Sequence, residues 1–425
     1  MTYVILFGLM AFGLPIALAI LASLLYFMAV GEFPYHIRIV ATQFYNGMAS
    51  YPLLAIPLFV LAGELMNASG ITRRIIAVAN LMVGHLKAGL ALVNIWASVI
   101  FAGLSGSAIA DTSALGRVFI PEMEKKGYPR DFAAAITAAS SVIGPIIPPS
   151  IPVIIYALTV TGVSVPALFV AGIIPGLLIA IFLSAYVVLF AGHYEVEKRA
   201  SLTVKQVIHD LSHGLLPVLM PIFVVGSILL GVVTPTEAAS FAVAYALVVG
   251  IFVFGELKVK DLPTLFSSSM RDAAIIMVII GAVSAANWLL NYNRVPNMVS
   301  DFALQYMTSQ WAFLIAVIIL FLIVGLILEG IAAMLVLVPI LHPIAISLGI
   351  DPTHLGILII FNLMIGMITP PMGLCLFVSE SIARVGMARL ARQVMPLFLV
   401  ELFVLILITF VPDLVLFLPR LFGVL

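Results

Sequence analysis

The sequence predicts an all-α polytopic membrane protein built from inverted repeats, with two re-entrant helical hairpins and two broken helices. Three observations predict this fold class. The chain is 64% hydrophobic and only 9% charged, it repeats a pattern of glycines and prolines at a fixed offset, and basic residues occur in one copy of that pattern but not in the other. A soluble domain carries about 25% charged residues, so this chain lacks the surface of a water-soluble protein.

Long apolar stretches supply the predicted membrane segments. A helix needs roughly 20 apolar residues to cross a hydrocarbon layer of ~30 Å. We expect about ten or more membrane-embedded segments, all helical, because lipid offers no partner for backbone polar groups. The clearest stretches are 3–30, 88–104, 166–192, 215–233, 235–254, 273–290, 310–327 and 395–418. Between two of them, "TPTEAAS" at 234–240 predicts a helix start, with Thr234 or Thr236 as the cap and Glu237 in the first turn.

Composition excludes several classes of function. The 19 basic and 19 acidic side chains give zero net charge, and the sequence has no long basic run, which argues against a nucleic-acid partner. A single cysteine, Cys375, leaves no internal disulfide. The sequence has no G-x-x-x-x-G-K-[ST] loop for a nucleotide. Transport would therefore draw on an ion gradient or on the gradient of the solute.

An internal repeat divides the chain into two corresponding halves. The same offset holds over about 47 positions, with prolines and glycines among the matches, which is not expected by chance. An offset of 222 residues superimposes Gly103 and Gly325, Leu104 and Leu326, Ala110 and Ala332, Leu115 and Leu337, Pro121 and Pro343, Gly127 and Gly349, Ile143 and Ile365, Gly144 and Gly366, and Pro148-Pro149 and Pro370-Pro371.

Charge asymmetry predicts the relative orientation of the halves. The connection in the first half carries Arg117, Lys125, Lys126 and Arg130, whereas the matching positions 339, 347, 348 and 352 carry no charge. Loops rich in Lys and Arg remain in the cytoplasm. The first connection is therefore predicted to be cytoplasmic and the second to lie outside, so the halves are inverted.

Each half is predicted to contain a hairpin and a broken helix. Residues 103–123 and 325–347 are apolar with a polar or glycine-rich centre, and we interpret them as hairpins whose tips face the broken helices; a full crossing is the alternative. Interior prolines in "SVIGPIIPPSIP" (141–152) and "MIGMITPPMG" (364–373) remove backbone donors and free carbonyls for a cation. Inverted repeats with broken helices indicate a secondary transporter.

Polar residues at the hairpin tips are the candidate ligands. Hydroxyl groups at a glycine turn can bind sodium or a carboxylate, although small residues can also serve close helix packing. Asp111 and Glu329 are ionisable groups in apolar surroundings, so each could hold a cation, carry a proton or reach water. The first tip contributes Ser105, Gly106, Ser107, Asp111, Thr112 and Ser113. The broken helices contribute Gly144, Ile147, Pro149 and Ser150, and Gly366, Thr369, Pro371 and Met372.

An intramembrane serine protease is the enzymatic alternative to a transporter. "GLSG" at 103–106 matches a short pattern around the nucleophile of some intramembrane serine proteases, with Ser105 as the nucleophile. That chemistry needs a nearby general base, and none of the seven histidines lies centrally in a long apolar run. We therefore expect a transporter and not an enzyme.

Motifs along the whole chain resemble the large membrane subunit, of the DctM type, of tripartite ATP-independent periplasmic (TRAP) transporters. They are "GLPIALAIL" at 13–21, "IPLFVLAGELMNASGI" at 56–71, "FAGLSGSAIADTSALG" at 101–116, "GPIIPPSIPVIIYA" at 144–157, "AGIIPGLL" at 171–178, "TPTEAA" at 234–239, "LVPILHPIAISLGIDPTHLGI" at 337–357 and "NLMIGMITPPMGLCLFV" at 362–378.

This resemblance implies a sodium-driven importer of the bacterial inner membrane, in which a transport domain slides against a scaffold as an elevator. The implied partners are a small membrane subunit and a periplasmic binding protein that delivers an organic acid anion, such as a C4-dicarboxylate or a sialic acid. Sodium would be a coupling ion, with no other cofactor. The implied regions are 1–85 (scaffold part and amphipathic arm), 86–175 (first repeat, with the hairpin and a broken helix at 131–160), 176–307 (scaffold and connecting helices), 308–393 (second repeat, with a broken helix at 353–383) and 394–425 (a C-terminal transmembrane helix).

The resemblance also implies two sodium sites. The first would use Ser105, Ser107, Gly144, Ile147 and Pro149, and the second Gly325, Glu329, Thr369 and Met372. Candidate contacts to the substrate are Ser105, Ser107, Asp111 and Thr112. Two positions depart from the family pattern: the second tip reads "EGIAA" at 329–333 where "DPTAA" is frequent, and Asp111 stands where a small or hydroxyl residue is more usual. Proton coupling through Asp111 or Glu329 is the alternative mechanism.

Overall fold

The computed structural model describes residues 5, 8–9, 12–30, 37–190, 204–306, 309–326 and 330–425. Across these ranges the regular structure is helical and contains no β-strand, as the composition predicts. The protein is therefore all-α wherever its backbone is described.

The described ranges contain twenty α-helices, α1 to α20 in chain order. They are α1 (Ile16–Val30), α2 (Arg38–Met48), α3 (Ala55–Ala68), α4 (Ile71–Val83), α5 (Gly89–Ser105), α6 (Ala108–Lys125), α7 (Arg130–Ser141), α8 (Ile151–Thr159), α9 (Val165–Ala171), α10 (Ile173–Phe190), α11 (Val204–Leu229), α12 (Pro235–Val248), α13 (Leu262–Tyr292), α14 (Val295–Tyr306), α15 (Gln310–Gly325), α16 (Gly330–Ser347), α17 (Pro352–Gly366), α18 (Leu374–Ala383), α19 (Met387–Phe410) and α20 (Asp413–Leu421).

Six helical stretches in the described ranges are long and apolar enough to cross a membrane. They are Tyr51–Ala68, Val165–Phe190, Pro235–Val253, Val259–Tyr292, Gly330–Ser347 and Met387–Phe410. Several shorter apolar helices, among them α5, α15 and α17, accompany them. Many large apolar side chains remain exposed on the outside of the bundle, including Phe252 at 80% and Leu189 at 74%. Such a surface fits a hydrocarbon environment and not water.

The C-terminal region differs from the expectation of one transmembrane helix over 394–425. Helix α19 begins earlier, at Met387, and ends at Phe410, and the separate helix α20 begins at Asp413. The break has a local cause. Pro412 has no N–H and disfavours helical backbone in the residue before it, and Val411 accordingly has φ −123° and ψ 76°.

The sequence-based capping prediction at 234–240 is confirmed. Thr234 precedes α12, its hydroxyl accepts a hydrogen bond from the backbone N–H of Glu237 at 3.3 Å, and the carboxylate of Glu237 accepts one from the backbone N–H of Thr234 at 2.7 Å. This reciprocal pair satisfies two donors that the helix start leaves without partners.

Helices α5 and α6 form a hairpin whose tip is Gly106 and Ser107. Gly106 ends α5 in a left-handed conformation, and the Ser107 hydroxyl accepts a hydrogen bond from the backbone N–H of Ala110 at 3.4 Å, which caps α6. The hairpin therefore begins at Gly89, well before the expected start near residue 103. The apolar stretch 88–104, which the sequence suggests as a separate membrane segment, is the first arm of the hairpin. Helices α15 and α16 form the corresponding pair in the second half, again with a first arm that begins earlier than the expected residue 325.

Two helices are interrupted at the proline clusters. Helix α7 ends at Ser141 and α8 begins at Ile151, while α17 ends at Gly366 and α18 begins at Leu374. We call residues 142–150 the first interruption and residues 367–373 the second interruption. The Pro148-Pro149 and Pro370-Pro371 peptide bonds are both cis. Ser150 joins the two ends of the first interruption, because its hydroxyl donates to the carbonyl of Pro145 and accepts from the N–H of Val153.

The helices of the two halves interlock. Helix α18, from the second half, contacts α6 and α7 of the first, and α8, from the first half, contacts α16 and α17 of the second. Helix α6 (108–125) and helix α16 (330–347) also have the same bounds after a shift of 222 residues. The end of each broken helix is thus packed inside the other half, so neither half is complete without its counterpart.

Helix α13 covers one side of these interlocked halves and links them to the N-terminal helices. It contacts α1, α2 and α3 on one side and α16 on the other. The close approach to α2 depends on small residues, since a Cβ on Gly281 would lie 3.0 Å from the Phe44 ring. Helix α10, expected among the connecting helices, instead contacts α5 and α19.

Arg130 joins the two halves at the start of α7. Its guanidinium donates hydrogen bonds to the carbonyl of Ala383 at 2.7 Å and of Ile382 at 3.2 Å, and it also contacts the carboxylate of Glu124. The last carbonyls of a helix have no intrahelical donor. Arg130 therefore both caps α18 and places a positive charge at the negative end of its dipole.

The Arg130→Ala substitution is expected to destabilise the protein by about 1–3 kcal/mol, since it removes charged hydrogen bonds to partly buried carbonyls. Thermal denaturation in detergent measures this change. Lys125→Ala is the matched control: Lys125 belongs to the same connection, but its pair with Glu122 at 2.7 Å is exposed and is worth about 0–1 kcal/mol. Equal stability of the two variants would contradict the proposed link.

Candidate functional site

The first hairpin tip lies directly against the first interruption. Gly106 has φ +58°, and a Cβ built on it would stand 2.7 Å from the carbonyl oxygen of Pro149. Other residues disfavour this left-handed backbone, and their side chains would also strike that oxygen. Glycine at this position therefore brings the tip and the interruption into backbone contact.

The first interruption presents carbonyl oxygens that have no hydrogen-bond donor. In the described part of the chain, the carbonyls of Gly144, Ile147, Pro148 and Pro149 accept no hydrogen bond, although the carbonyl of Pro145 receives the Ser150 hydroxyl. Three of these four are the carbonyls implied for the first sodium site. Unwound carbonyls of this kind coordinate sodium in transporters with broken helices.

The side chain of Asp111 fills the space between the tip and the interruption. It is fully buried. Its Oδ1 accepts a hydrogen bond from the Ser105 hydroxyl, whereas its Oδ2 has no hydrogen-bond partner and faces Gly144, where an added Cβ would collide with it. The backbone N–H of Ser107 donates to the same Ser105 hydroxyl at 3.2 Å. Ser105, Asp111 and Gly144 thus meet in one small polar cluster.

Two of the four candidate substrate contacts, Asp111 and Thr112, are fully buried. Thr112 is fully buried, donates its hydroxyl to the Ala108 carbonyl at 2.8 Å and lies beside Cys375 of α18. Asp111 is equally inaccessible. The structure therefore leaves Ser105 and Ser107 as the candidate residues that reach a cavity. Burial behind the tip is the reason that Asp111 and Thr112 do not.

The second half has a related but less polar arrangement. Gly325 and Gly366 face each other, since a Cβ on Gly366 would stand 3.3 Å from the Cα of Gly325. The Thr369 hydroxyl donates to the Ile365 carbonyl at 2.8 Å, and the Thr369 carbonyl accepts from the Gly373 N–H at 3.0 Å. The side chain of Met372 is 58% exposed. Glu329, the fourth residue implied for this site, lies outside the described residues.

Two cavities adjoin the first tip. The central cavity, of about 110 Å³, lies between the first tip, the start of α16, both interruptions and Ile276 of α13. The lateral cavity, of about 150 Å³, lies between that tip and helices α3 and α13, and both Ser105 and Ser107 line it. Ser107 and Ile276 belong to both cavities. The first tip therefore separates two spaces that could be occupied together.

Neither cavity is lined by Lys, Arg or His within the described ranges. The lateral cavity instead carries Glu64, Asp272 and the amide of Asn67. The sequence alone does not predict these three side chains as site residues. Their convergence depends on the packing of α13 against α3, which no local pattern reveals. An anion in the lateral cavity would meet the negative side chains of Glu64 and Asp272.

No group of three or more His, Cys, Asp or Glu side chains within the described chain could hold a metal ion. The oxygens at the first tip are hydroxyl, carbonyl and carboxylate oxygens. Such hard ligands suit an alkali or alkaline-earth cation and not a soft transition metal.

A family model matches residues 3–414, and its description is "Tripartite ATP-independent periplasmic transporter, DctM component". The sialic acid TRAP transporter large permease protein SiaM of Vibrio cholerae is 37% identical over 417 residues, covering 98% of this chain and 97% of that protein. The C4-dicarboxylate TRAP transporter large permease protein DctM of Rhodobacter capsulatus is 35% identical over 444 residues, covering 100% of both.

A solved transporter has a related fold. The YdaH transporter of Alcanivorax borkumensis, described as having an unusual topology, superimposes with a TM-score of 0.66 at 14% identity, covering 92% of this chain and 95% of that one. At this identity the likeness extends to the fold alone.

The Gly106→Ala substitution is expected to destabilise the protein more than Gly162→Ala does. Both glycines have positive φ, at +58° and +81°, but a Cβ on Gly162 meets nothing within 4 Å. Each change costs about 1–2 kcal/mol for the left-handed backbone, and the collision with Pro149 adds about 1–3 kcal/mol. Thermal denaturation of the two variants measures the difference. Equal losses would mean that the tip does not touch the interruption.

Proposed function

Because this chain belongs to the DctM component family of tripartite ATP-independent periplasmic transporters, we propose that it imports an organic acid anion together with sodium. As a member of this family it is a permease and not an enzyme, and it is a multi-pass protein of the inner membrane. The protease interpretation of Ser105 is thereby excluded; its hydroxyl is engaged with Asp111.

The observation that carries the sodium proposal is the cluster of oxygens at the first tip. Several carbonyls of the first interruption, among them those of Gly144, Ile147 and Pro149, have no donor in the described chain, and the Ser105 hydroxyl and the Asp111 carboxylate lie on the facing side. Leaving buried polar groups without partners is costly. A sodium ion would satisfy several of them at once, which supports a coupling-ion site here.

Charge supports the coupling of the anion to cations. Organic acids are negative at neutral pH, yet among the described residues the cavities beside the tip carry no basic side chain, and the lateral cavity carries Glu64 and Asp272. An anion would therefore enter a neutral or negative site. Bound sodium ions would reverse that electrostatic balance, so that the anion binds after or with the cations.

The substrate class is proposed from the relatives. One similar permease is named for sialic acid and another for C4-dicarboxylates, and both compounds are organic acid anions. We place the anion beside Ser107, because this residue lines both cavities and precedes the N-terminus of α6. Helix N-termini favour negative groups.

Two protein partners follow from the tripartite organisation named in the family description. We propose a small membrane subunit that extends the scaffold and a periplasmic binding protein that delivers the anion. The exposed apolar side chains on the outside of the bundle are consistent with contacts to lipid and to such a subunit.

An elevator motion is the proposed mechanism. The interlocked halves would move as one transport domain, because α8 and α18 are each packed inside the opposite half. Helices α3 and α13 would belong to the scaffold. The lateral cavity lies along the boundary between these parts, where sliding would change its access to the two sides of the membrane.

Uptake into proteoliposomes containing both membrane subunits tests the function. With the binding protein present, we expect sialic acid or a C4-dicarboxylate to accumulate only when a sodium gradient is applied. The matched control replaces sodium with choline at the same ionic strength. Uptake that depends on pH and not on sodium would contradict sodium coupling, and uptake indifferent to sodium and to the binding protein would contradict the proposal as a whole.

The inverted arrangement is tested by labelling Lys125→Cys and Ser347→Cys. Both positions are exposed, they correspond at the 222-residue offset, and the native Cys375 is buried. We expect a membrane-impermeant thiol reagent to reach position 347 from outside in intact cells and position 125 only after the membrane is opened. Labelling of both from one side would contradict inversion.

A further inference from the structure

Asp111 supplies a buried carboxylate at a position where the second half has an alanine. At the 222-residue offset its counterpart is Ala333, and both positions are fully buried. The helices that carry them, α6 and α16, have corresponding bounds. The two halves therefore share their backbone plan here but differ by one negative charge.

This carboxylate is only half satisfied by the protein. Its Oδ1 receives the Ser105 hydroxyl, while its Oδ2 has no donor. In the described chain no Lys, Arg or His forms an ion pair with it, and Arg117 on the same helix is exposed. A charge buried in this way is strongly disfavoured without a positive partner.

Further oxygens lie on both sides of this cluster. The carbonyl oxygen of Ser141, which accepts a hydrogen bond from the Gly144 N–H at 3.1 Å, would lie 3.2 Å from a Cβ built on Gly144, the residue that Oδ2 faces. The carbonyl oxygen of Pro148 would lie 3.7 Å from a Cβ on Gly103, which is on the same hairpin arm as Ser105. Ser105 connects this cluster to the lateral cavity, which it lines. A small cation held at Oδ2 would therefore have the Ser105 hydroxyl and the Ser141 carbonyl nearby, with the lateral cavity on the far side of Ser105.

We propose that Asp111 is a direct anionic ligand of the coupling cation at the first tip, binding it through Oδ2 together with the Ser105 hydroxyl and carbonyls of the first interruption. This inference rests on the proposed sodium coupling. Asp111 then acts on the cation and not on the substrate, since its carboxylate would repel an anion.

The test is a sodium titration of thermal stability. The permease is purified with its small subunit, and unfolding is followed as sodium replaces choline at constant ionic strength, with no substrate present. The variants are Asp111→Asn, which keeps the shape and removes the charge, and Asp111→Ala, which installs the residue found at position 333. Asp131→Asn is the matched control, since Asp131 lies at the start of α7 and, among the described residues, accepts a hydrogen bond only from the adjacent Phe132 N–H, at 2.9 Å.

We expect sodium to raise the melting temperature of the wild-type protein and of Asp131→Asn with the same half-saturating concentration. In both Asp111 variants that concentration rises about tenfold or more, as expected when a charged ligand is lost. Without sodium, Asp111→Asn is at least as stable as the wild type, because the unpaired charge is gone. A purely structural Asp111 would instead lose stability at every sodium concentration.

Other outcomes separate this inference from the proposed function. If the wild type responds to sodium and both Asp111 variants have the same half-saturating sodium concentration as the wild type, Asp111 is not a ligand of the cation. Sodium coupling itself would remain intact. Loss of stabilisation by an added organic acid, with the sodium response unchanged, would make Asp111 a substrate contact and overturn the proposal. A wild type that ignores sodium in both stability and uptake contradicts the proposed function itself.

Discussion

Backbone carbonyls without donors are the constraint on which this architecture depends. The prolines of the first interruption end α7 and leave the carbonyls of Gly144, Ile147, Pro148 and Pro149 without hydrogen bonds in the described chain. Such groups are tolerated in a membrane protein only where they are buried in protein or line a cavity. The tip of the α5–α6 hairpin covers them, and its Gly106 allows backbone contact. The broken helix thus depends on the hairpin to cover its free carbonyls. The tip and the first interruption together form a set of oxygens suited to a cation.

The interlocking of the halves extends this local constraint to the whole molecule. The second part of each broken helix is surrounded by the opposite half, and Arg130 links the start of α7 to the end of α18. Displacing one hairpin would therefore disturb both interruptions. In the proposed elevator mechanism, the tips and interruptions would move as one unit relative to α3 and α13. A cation bound at one tip would then influence the central cavity that both halves line.

Sequence reasoning succeeded where the cause is local. The proline pairs predicted the interruptions, the Thr234 and Glu237 pair predicted a capped helix, and the glycine between two serines predicted the tip of the first hairpin. Each of these depends on the conformational limits of one or a few residues. The match of the whole chain to the transporter family is likewise a property of the sequence.

The sequence does not predict features that depend on packing between distant segments. An apolar stretch such as 89–105 has the same composition whether it is a hairpin arm or a full crossing. The hairpin therefore begins earlier in the structure, at Gly89, than the sequence predicts. The burial of Thr112 behind the tip, and the meeting of Glu64 with Asp272 beside Ser105, arise from contacts between helices far apart in the chain. The sequence also contains the Asp111 carboxylate without indicating that one of its oxygens has no partner.

The central claim is that the first tip and the first interruption enclose a coupling cation. A high-resolution experimental structure of the permease with its small subunit, determined once in sodium and once in choline, tests it most directly. The account predicts sodium-dependent density bounded by Ser105, Asp111 and carbonyls of the first interruption. Identical density in both conditions, or a protein donor bonded to those carbonyls and to Asp111, would contradict it.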